Sequence, residues 1–152
     1  MEIERKFLTK EIPFDITAYP FHQMTQAYIS FSPTIRVRQS DDTYSLTVKG
    51  KGHLAREEFE LPLKKEDYDR LLTKTEGTPV VKKRYYVPLE AGLTAEVDLY
   101  EAELEGLMTT EVEFSSVEEA EAFLPPAWFG KDVSEEKAYK NTALSLYGMP
   151  KV

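Results

Sequence analysis

The chain has 152 residues, 41% of them hydrophobic and 12% aromatic, which is enough for one packed domain and too apolar for a disordered chain. A formal charge of −8 argues against a general nucleic-acid binder, which needs a positive footprint, yet leaves room for a small anion in a local basic pocket. Cysteine is absent, which removes disulfides, thiolate catalysis and Cys-based zinc sites, and there is no apolar run of about 18 residues to span a membrane. The opening residues mix acids and bases, unlike a signal peptide, so the expectation is a single cytoplasmic domain over 1–152.

In chain order, the first expected strand is 1–8, "MEIERKFL", with Glu2, Glu4 and Lys6 on one face and Ile3 and Phe7 between them. Residues 12–23 are ambiguous and could form a short helix broken at Pro20. Strands are then expected over 25–30, 34–40, 43–49 and 56–62, a helix over 64–74, strands over 80–88, 93–101 and 108–114, and helices over 116–124 and 134–147. Ser116 and Glu119 have capping-box spacing, and Pro125–Pro126 stop the helix that follows. Eight strands, mostly with hairpin-length connections, favour an antiparallel sheet or barrel over a βαβ layout.

Charge sorts along these strands. Arg36 and Arg38 alternate with Ile35 and Val37; Ser45, Thr47 and Lys49 with Leu46 and Val48; Glu58 and Glu60 with Phe59 and Leu61. Lys82 and Arg84 alternate with Val81, Lys83 and Tyr85; Glu96 and Asp98 with Val97 and Leu99; Glu111 and Glu113 with Val112 and Phe114. Any one such strand is an ordinary half-buried strand with a solvated face. A whole set whose charges separate by sign is different. The helices carry apolar stripes that must cover something; if they cover the apolar face, the charged face lines the lumen of a closed barrel. Buried charge of that density is costly unless it pairs or binds ligands. Carboxylates suit hard divalent cations, Arg and Lys suit phosphoryl oxygens, and phosphoryl transfer needs mainly positioning and charge neutralisation.

In these residues the chain resembles the CYTH superfamily, the triphosphate tunnel metalloenzymes. The Glu-x-Glu-x-Lys signature falls at Glu2, Glu4 and Lys6. Arg36, Arg38, Lys49, Arg56, Glu58 and Glu60 match the next block, Lys82 and Arg84 the basic strand, and Glu96, Asp98, Glu111 and Glu113 the late acidic hairpin. "DVSEEKAYKNTAL" resembles the C-terminal helix region, with Ala138–Tyr139 where an Arg-Tyr pair is common. The likeness covers nearly the whole chain in order and is most like the bacterial inorganic triphosphatases.

The resemblance implies an α+β, sheet-dominated fold: a closed eight-stranded antiparallel β-barrel with helices packed outside. It implies Mg²⁺ or Mn²⁺ on Glu2, Glu4, Glu111 and Glu113. Arg36, Arg38, Lys49, Lys82 and Arg84 would bind phosphate. Lys6, Glu60 and Asp98 are the catalytic candidates: Lys6 binds phosphate or helps activate water, and Glu60 and Asp98 hold a second metal or orient water. Glu58 and Glu96 would hold the bases in place. The expected reaction is hydrolysis of a triphosphate, foremost inorganic tripolyphosphate. The alternatives are a class IV-type adenylyl cyclase, a thiamine triphosphatase, or a non-catalytic polyphosphate- or nucleotide-binding module. The partner is a small-molecule triphosphate, with no nucleic acid and no membrane, and the family allows a homodimer. Arg5, Lys51 and Lys83 are expected to be solvated or exterior, His22 and His53 to lie in turns, exposed or structural, and Trp128 to be a packing anchor.

Overall fold

The computed structural model describes residues 2–50 and 55–150. Expectations for Met1, Lys51 and His53 therefore lie outside the described residues. The strands are β1 (Glu2–Thr9), β2 (Phe21–Phe31), β3 (Thr34–Ser40), β4 (Thr43–Lys49), β5 (Ala55–Arg56), β6 (Glu58–Leu63), β7 (Glu76–Pro88), β8 (Thr94–Tyr100), β9 (Met108–Glu113) and β10 (Phe129–Asp132). The helices are α1 (Lys65–Leu72), α2 (Val117–Ala122) and α3 (Asn141–Tyr147).

The sheet runs β1-β9-β8-β7-β2-β3-β4-β6, every pair antiparallel. The ring closes through β5, which continues into β6 and pairs with β1 at Glu2↔Arg56 and Ile3↔Ala55. The single expected strand 56–62 is thus two pieces broken at Glu57: one closes the barrel on β1, the other pairs with β4. Further along, the same edge of β1 takes β10, an unforeseen short strand, at Phe7↔Asp132 and Thr9↔Phe129. Counting β5 and β6 as one, the barrel has the eight strands expected.

The period-two pattern sets which side each residue faces. The apolar faces of β1, β7, β8 and β9 supply Phe7, Tyr85, Val87, Ala95, Val97 and Val112 to the main core, capped by Ala120 of α2 and by Phe129. Ile12, Phe14, Ile16 and Tyr19 pack there too, so the ambiguous stretch is a lid on the outer face. It makes one 3₁₀ turn over Ile16–Ala18, capped by Asp15, before β2 begins at Phe21. Trp128 packs against Phe14 and Phe129 as an anchor. Helix α1 buries Tyr68 against Ala27 and Val37 on the outside of β2 and β3. In α2, Ser116 accepts from Glu119 N–H, while the Glu119 carboxylate reaches one residue beyond the usual capping-box partner, to Ser115 N–H at 2.8 Å.

The C-terminal segment departs from the expected arrangement. The helix expected over 134–147 is a 3₁₀ turn, Lys137–Tyr139, followed by α3. Leu144 of α3 packs with Val80 and Tyr100, which share strand faces with Lys82 and Asp98, so α3 closes one end of the lumen rather than covering the outside. Gly77, at φ +71°, permits this approach, because a Cβ there would lie 2.8 Å from Ser145 Oγ. Ser145 Oγ in turn donates to Thr78 C=O at 2.7 Å.

Arg5 is exterior, the second of the two expected alternatives. It is not a solvated charge: its guanidinium donates to the Ala120 and Phe123 carbonyls at the end of α2, at 2.9 and 3.1 Å, and pairs with Asp132. It also sits 4.9 Å from the Phe7 ring centroid. One side chain therefore ties β1 to α2 and β10 and adds a donor to two carbonyls at the C-terminal end of α2, of which that of Ala120 also accepts the Phe123 N–H. Arg5→Leu is expected to cost about 2 kcal/mol, a fall in Tm of roughly 5 °C, with kcat unchanged; a melting curve beside an activity assay checks both.

Candidate active site

The lumen holds a cavity of ≈ 1130 Å³, at or above the upper end of small-ligand pockets, roughly 300–1,000 Å³. Glu2, Glu4, Glu58, Glu60, Glu96, Glu111 and Glu113 line it, facing Lys6, Arg36, Arg38, Lys49, Arg56, Arg84, Lys137 and Lys140. In a chain of net charge −8, eight of the 19 lysines and arginines thus line one cavity.

The acids gather where β1 meets β9. Glu4 faces Glu113 and Lys6 faces Glu111 across the ladder, which brings Glu2 alongside. Glu2, Glu4 and Glu113 each offer a carboxylate oxygen, all within 4.8 Å of one another. Burial, the charge of Glu111, a hydrogen bond shared with it and the charge of Glu2 push the Glu4 carboxyl well above its usual range. Glu111 goes well below: burial opposes ionisation, but Arg84, Lys6 and Lys82 and the hydrogen bond from Glu4 overcome it. The two carboxyls are therefore driven apart in acidity, Glu4 toward its protonated form and Glu111 toward its ionised form. Glu113 is also raised, by burial and then by Glu2 and Glu111. Glu2 is lowered, because a hydrogen bond with Glu58, Lys49 and Arg56 outweigh its burial. Crowded carboxylate oxygens that suppress one another's ionisation are the donor set a hard divalent cation fits.

The cations divide into paired and unpaired. Arg84 is paired: its Nε and Nη2 grip Asp98 at 2.8 and 2.9 Å, and it lies 3.3 Å from Glu96 and 3.5 Å from Glu111. Lys49 and Arg56 sit 3.5 Å from Glu2, and Arg56 also 3.6 Å from Glu4. Lys6 donates to the Tyr139 carbonyl at 2.6 Å and lies 3.9 Å from Glu111. Arg36 and Arg38 have no carboxylate partner among the described residues. Arg36, 3% exposed, gives Nη2 to Thr47 Oγ1 and has a buried Nε without an acceptor. Arg38 gives two hydrogens to Gln26, and burial with Arg36 and Arg84 nearby lowers it to about 10. Two neighbouring guanidiniums without a counter-ion form an anion site.

Most of the expected site residues meet in this cavity; Lys82 and Asp98 do not line it. Both are fully buried behind Arg84 and joined at 2.8 Å. Burial and Arg84 drive the Lys82 amine down to about 7, while Arg84 and Lys82 keep Asp98 ionised against its burial. Glu60 lines the cavity from exposed β6. Glu96 is more than a partner for a base: burial, outweighing Arg84, raises it to about 7. Arg56, Lys137 and Lys140 were assigned no role from the sequence. For Arg56 the signal was present, since Arg56, Glu58 and Glu60 alternate; the two lysines sit on a 3₁₀ turn and its end, without periodicity. Lys83 lies outside beside Glu101; His22, expected in a turn, is instead an exposed residue near the start of β2 and bonds Asp41.

An eight-stranded barrel with an acid cluster facing unpaired arginines across its lumen defines the triphosphate tunnel, or CYTH, class. No family model matches the chain. The inorganic triphosphatase of Nitrosomonas europaea is 41% identical over 146 residues, spanning 95% of this chain and 97% of that protein. That of Acetivibrio thermocellus is 32% identical, spanning 94% and 92%. A solved inorganic triphosphatase structure superposes with a TM-score of 0.73 at 36% identity, over 99% of this chain and 97% of that one. A Hippeastrum adenylyl cyclase candidate with a dominant triphosphatase activity shares the fold at a TM-score of 0.60 and 15% identity, over 80% and 83%. The chain belongs to the inorganic triphosphatase family. No helix among the described residues is long and apolar enough to cross a membrane.

Proposed function

We propose that this chain hydrolyses inorganic tripolyphosphate to pyrophosphate and orthophosphate, with Mg²⁺ or Mn²⁺ held by Glu2, Glu4 and Glu113. The observation that carries this reading is the pairing of that carboxylate cluster with Arg36 and Arg38, which have no protein counter-ion among the described residues. The inorganic triphosphatase relatives, matched over nearly the whole chain, support it. A bound divalent cation supplies neutralisation of phosphoryl oxygens and activation of water.

The chain's own groups do the rest. Arg36, Arg38, Lys49 and Arg84 hold the phosphoryl oxygens and fix the chain along the lumen, which converts attack into a positioned, in-line event. Arg56, between Glu2 and Glu4, orients the acid cluster. Lys82 and Asp98 act behind the wall as the support that aims Arg84. Lys6, within reach of Glu111, binds a phosphoryl oxygen at the cluster's edge. Glu96, poised near neutral pH, accepts the proton of the attacking water at its carboxylate, and Glu60, which lines the same cavity from β6, orients that water.

The test is product release from tripolyphosphate, ATP and thiamine triphosphate, each with Mg²⁺, with Mn²⁺ and with excess chelator. Expected is metal-dependent orthophosphate release from tripolyphosphate well above the other two, abolished by chelator. Cyclic AMP and pyrophosphate from ATP would place the chain among the cyclases, and tight binding without turnover would leave a capture module.

A further inference from the structure

We propose that Asn141 contacts the substrate, donating a side-chain N–H to a phosphoryl oxygen at the end of the lumen that α3 closes, and that Tyr100 is the positioning residue that turns the amide that way. This rests on the tunnel being a tripolyphosphate site.

Two hydroxyl hydrogens decide how the amide is turned. Tyr100 is buried on β8, across the ladder from Lys82. Its hydroxyl meets Asn141 Oδ1 at 3.0 Å and Thr109 Oγ1 at 3.3 Å. A row of three such groups can pass its hydrogens in either direction. If the amide gave an N–H to Tyr100, the phenol would give its hydrogen to Thr109, and the Thr109 hydrogen would be left over. Thr109 is fully buried, and its hydroxyl has no other side-chain partner among the described residues, so that hydrogen would go unpaired where water does not reach. In the other direction Thr109 donates to Tyr100 and Tyr100 donates to the Asn141 oxygen, and both hydroxyl hydrogens are used. The amide oxygen is then committed to the barrel wall. Asn141 lines the cavity, and its NH₂ finds no acceptor among the described residues, so its hydrogens are offered to what the cavity holds.

The amide is also held in place. Leu144, further along α3, packs with Tyr100 and Val80, and Ser145 Oγ bonds Thr78 C=O at 2.7 Å. Burial, and then the charge of Asp98, push the Tyr100 phenol well above its ordinary range, so it remains a donor throughout the neutral range. Anchoring α3 to the barrel would use only the oxygen of Asn141. What that role leaves unused is the NH₂, and an asparagine that presents it to a cavity lined by Arg36, Arg38, Lys137 and Lys140 presents it to an anion site. A neutral donor adds a hydrogen bond to the phosphoryl oxygens without adding to the repulsion among those cations.

Asn141→Ala removes the amide, whereas Ser145→Ala loosens the seating of α3 and leaves the amide alone. Calorimetric titration with tripolyphosphate in excess chelator reads binding without turnover. Asn141→Ala is expected to bind roughly tenfold more weakly than the unaltered protein, and Ser145→Ala within about twofold of it. In the metal-supplied assay Asn141→Ala should raise KM by a similar factor with little change in kcat. Tyr100→Phe frees the amide to rotate and should weaken binding about threefold; in the Asn141→Ala background it should cost nothing further. Binding of Asn141→Ala within about twofold of the unaltered protein would overturn the inference while leaving the hydrolase reading intact. So would an equal loss in Ser145→Ala, which would make the seating of α3 the cause. Weaker binding of Asn141→Ala alone, in a protein that never releases phosphate, would support the inference and remove the hydrolase reading instead.

Discussion

Glu4→Gln is expected to reduce metal-dependent phosphate release roughly a thousandfold, about 4 kcal/mol of lost stabilisation, while the barrel melts no earlier than before. The activity loss follows from geometry, since Glu4 is one of the three carboxylates within ligand reach of one another. The retained stability follows from proton linkage. Folding raises the Glu4 carboxyl well above its usual range, because burial and the negative Glu111 disfavour its charge. A carboxyl raised on folding makes its favourable contribution below its unfolded value and loses it as pH rises through the folded one. Above neutral pH the metal-free protein therefore carries a penalty that an amide does not. An amide also keeps the hydrogen that the Glu4 carboxyl shares with Glu111. The measurement is a pair of melting curves at pH 8, with chelator and with Mg²⁺. The variant should melt at or above the unaltered protein in chelator and gain little from Mg²⁺, whereas the unaltered protein gains. Early melting of the variant in chelator would make Glu4 a structural residue.

Why a mutation of a barrel residue should spare the barrel bears on what the sequence could disclose. The face of each central strand was legible, because a period of two allows only two assignments and the apolar set chose between them. Glu2, Glu4, Arg36, Arg38, Arg84 and Glu111 all appear where alternation put them. The barrel's closure was legible only as a strand count, because two residue pairs at Glu2–Ile3 leave no pattern of their own. Strand β10 was missed for the same reason: four residues, "FGKD", are too few to alternate convincingly. Helix α3 was placed in the right stretch but on the wrong side, since an amphipathic pattern says that a face is buried and not what buries it. Alternation put Arg5 on the outer face, where it lies; what it meets there, the end of α2, is a tertiary fact. Depth along the lumen was equally hidden. Lys82 and Arg84 look alike in the sequence, yet one lines the cavity and the other is sealed behind it. Nothing in a strand's periodicity encodes distance along a barrel axis.

That sealed position gives Asp98→Asn a large expected effect. Asp98 is fully buried and serves two cations, Lys82 at 2.8 Å and Arg84 through two hydrogen bonds. Removing its charge leaves both without their principal counter-ion in a site water does not reach, which is expected to cost about 3–5 kcal/mol, near 10 °C in Tm. The pH dependence separates this from ordinary packing loss. In the unaltered protein Lys82 is depressed to about 7, so below that pH it is charged in both the folded and unfolded states and adds no slope. Without Asp98 its folded value falls further, and the folded protein holds a neutral amine where the unfolded chain holds a proton. Stability then rises with pH across that window. The deficit of Asp98→Asn should accordingly widen as pH drops from 7 toward 5, by roughly 1.4 kcal/mol per unit at most, and level off above 7. Urea melts at pH 5, 6, 7 and 8 read this directly. A deficit independent of pH would mean that Lys82 is not held by Asp98's charge. Activity should fall in step, because the fork of Asp98 under Arg84 is what points that guanidinium at Glu96 and Glu111. Arg84→Lys should fail to substitute, since an ammonium cannot span the two carboxylate oxygens in one plane.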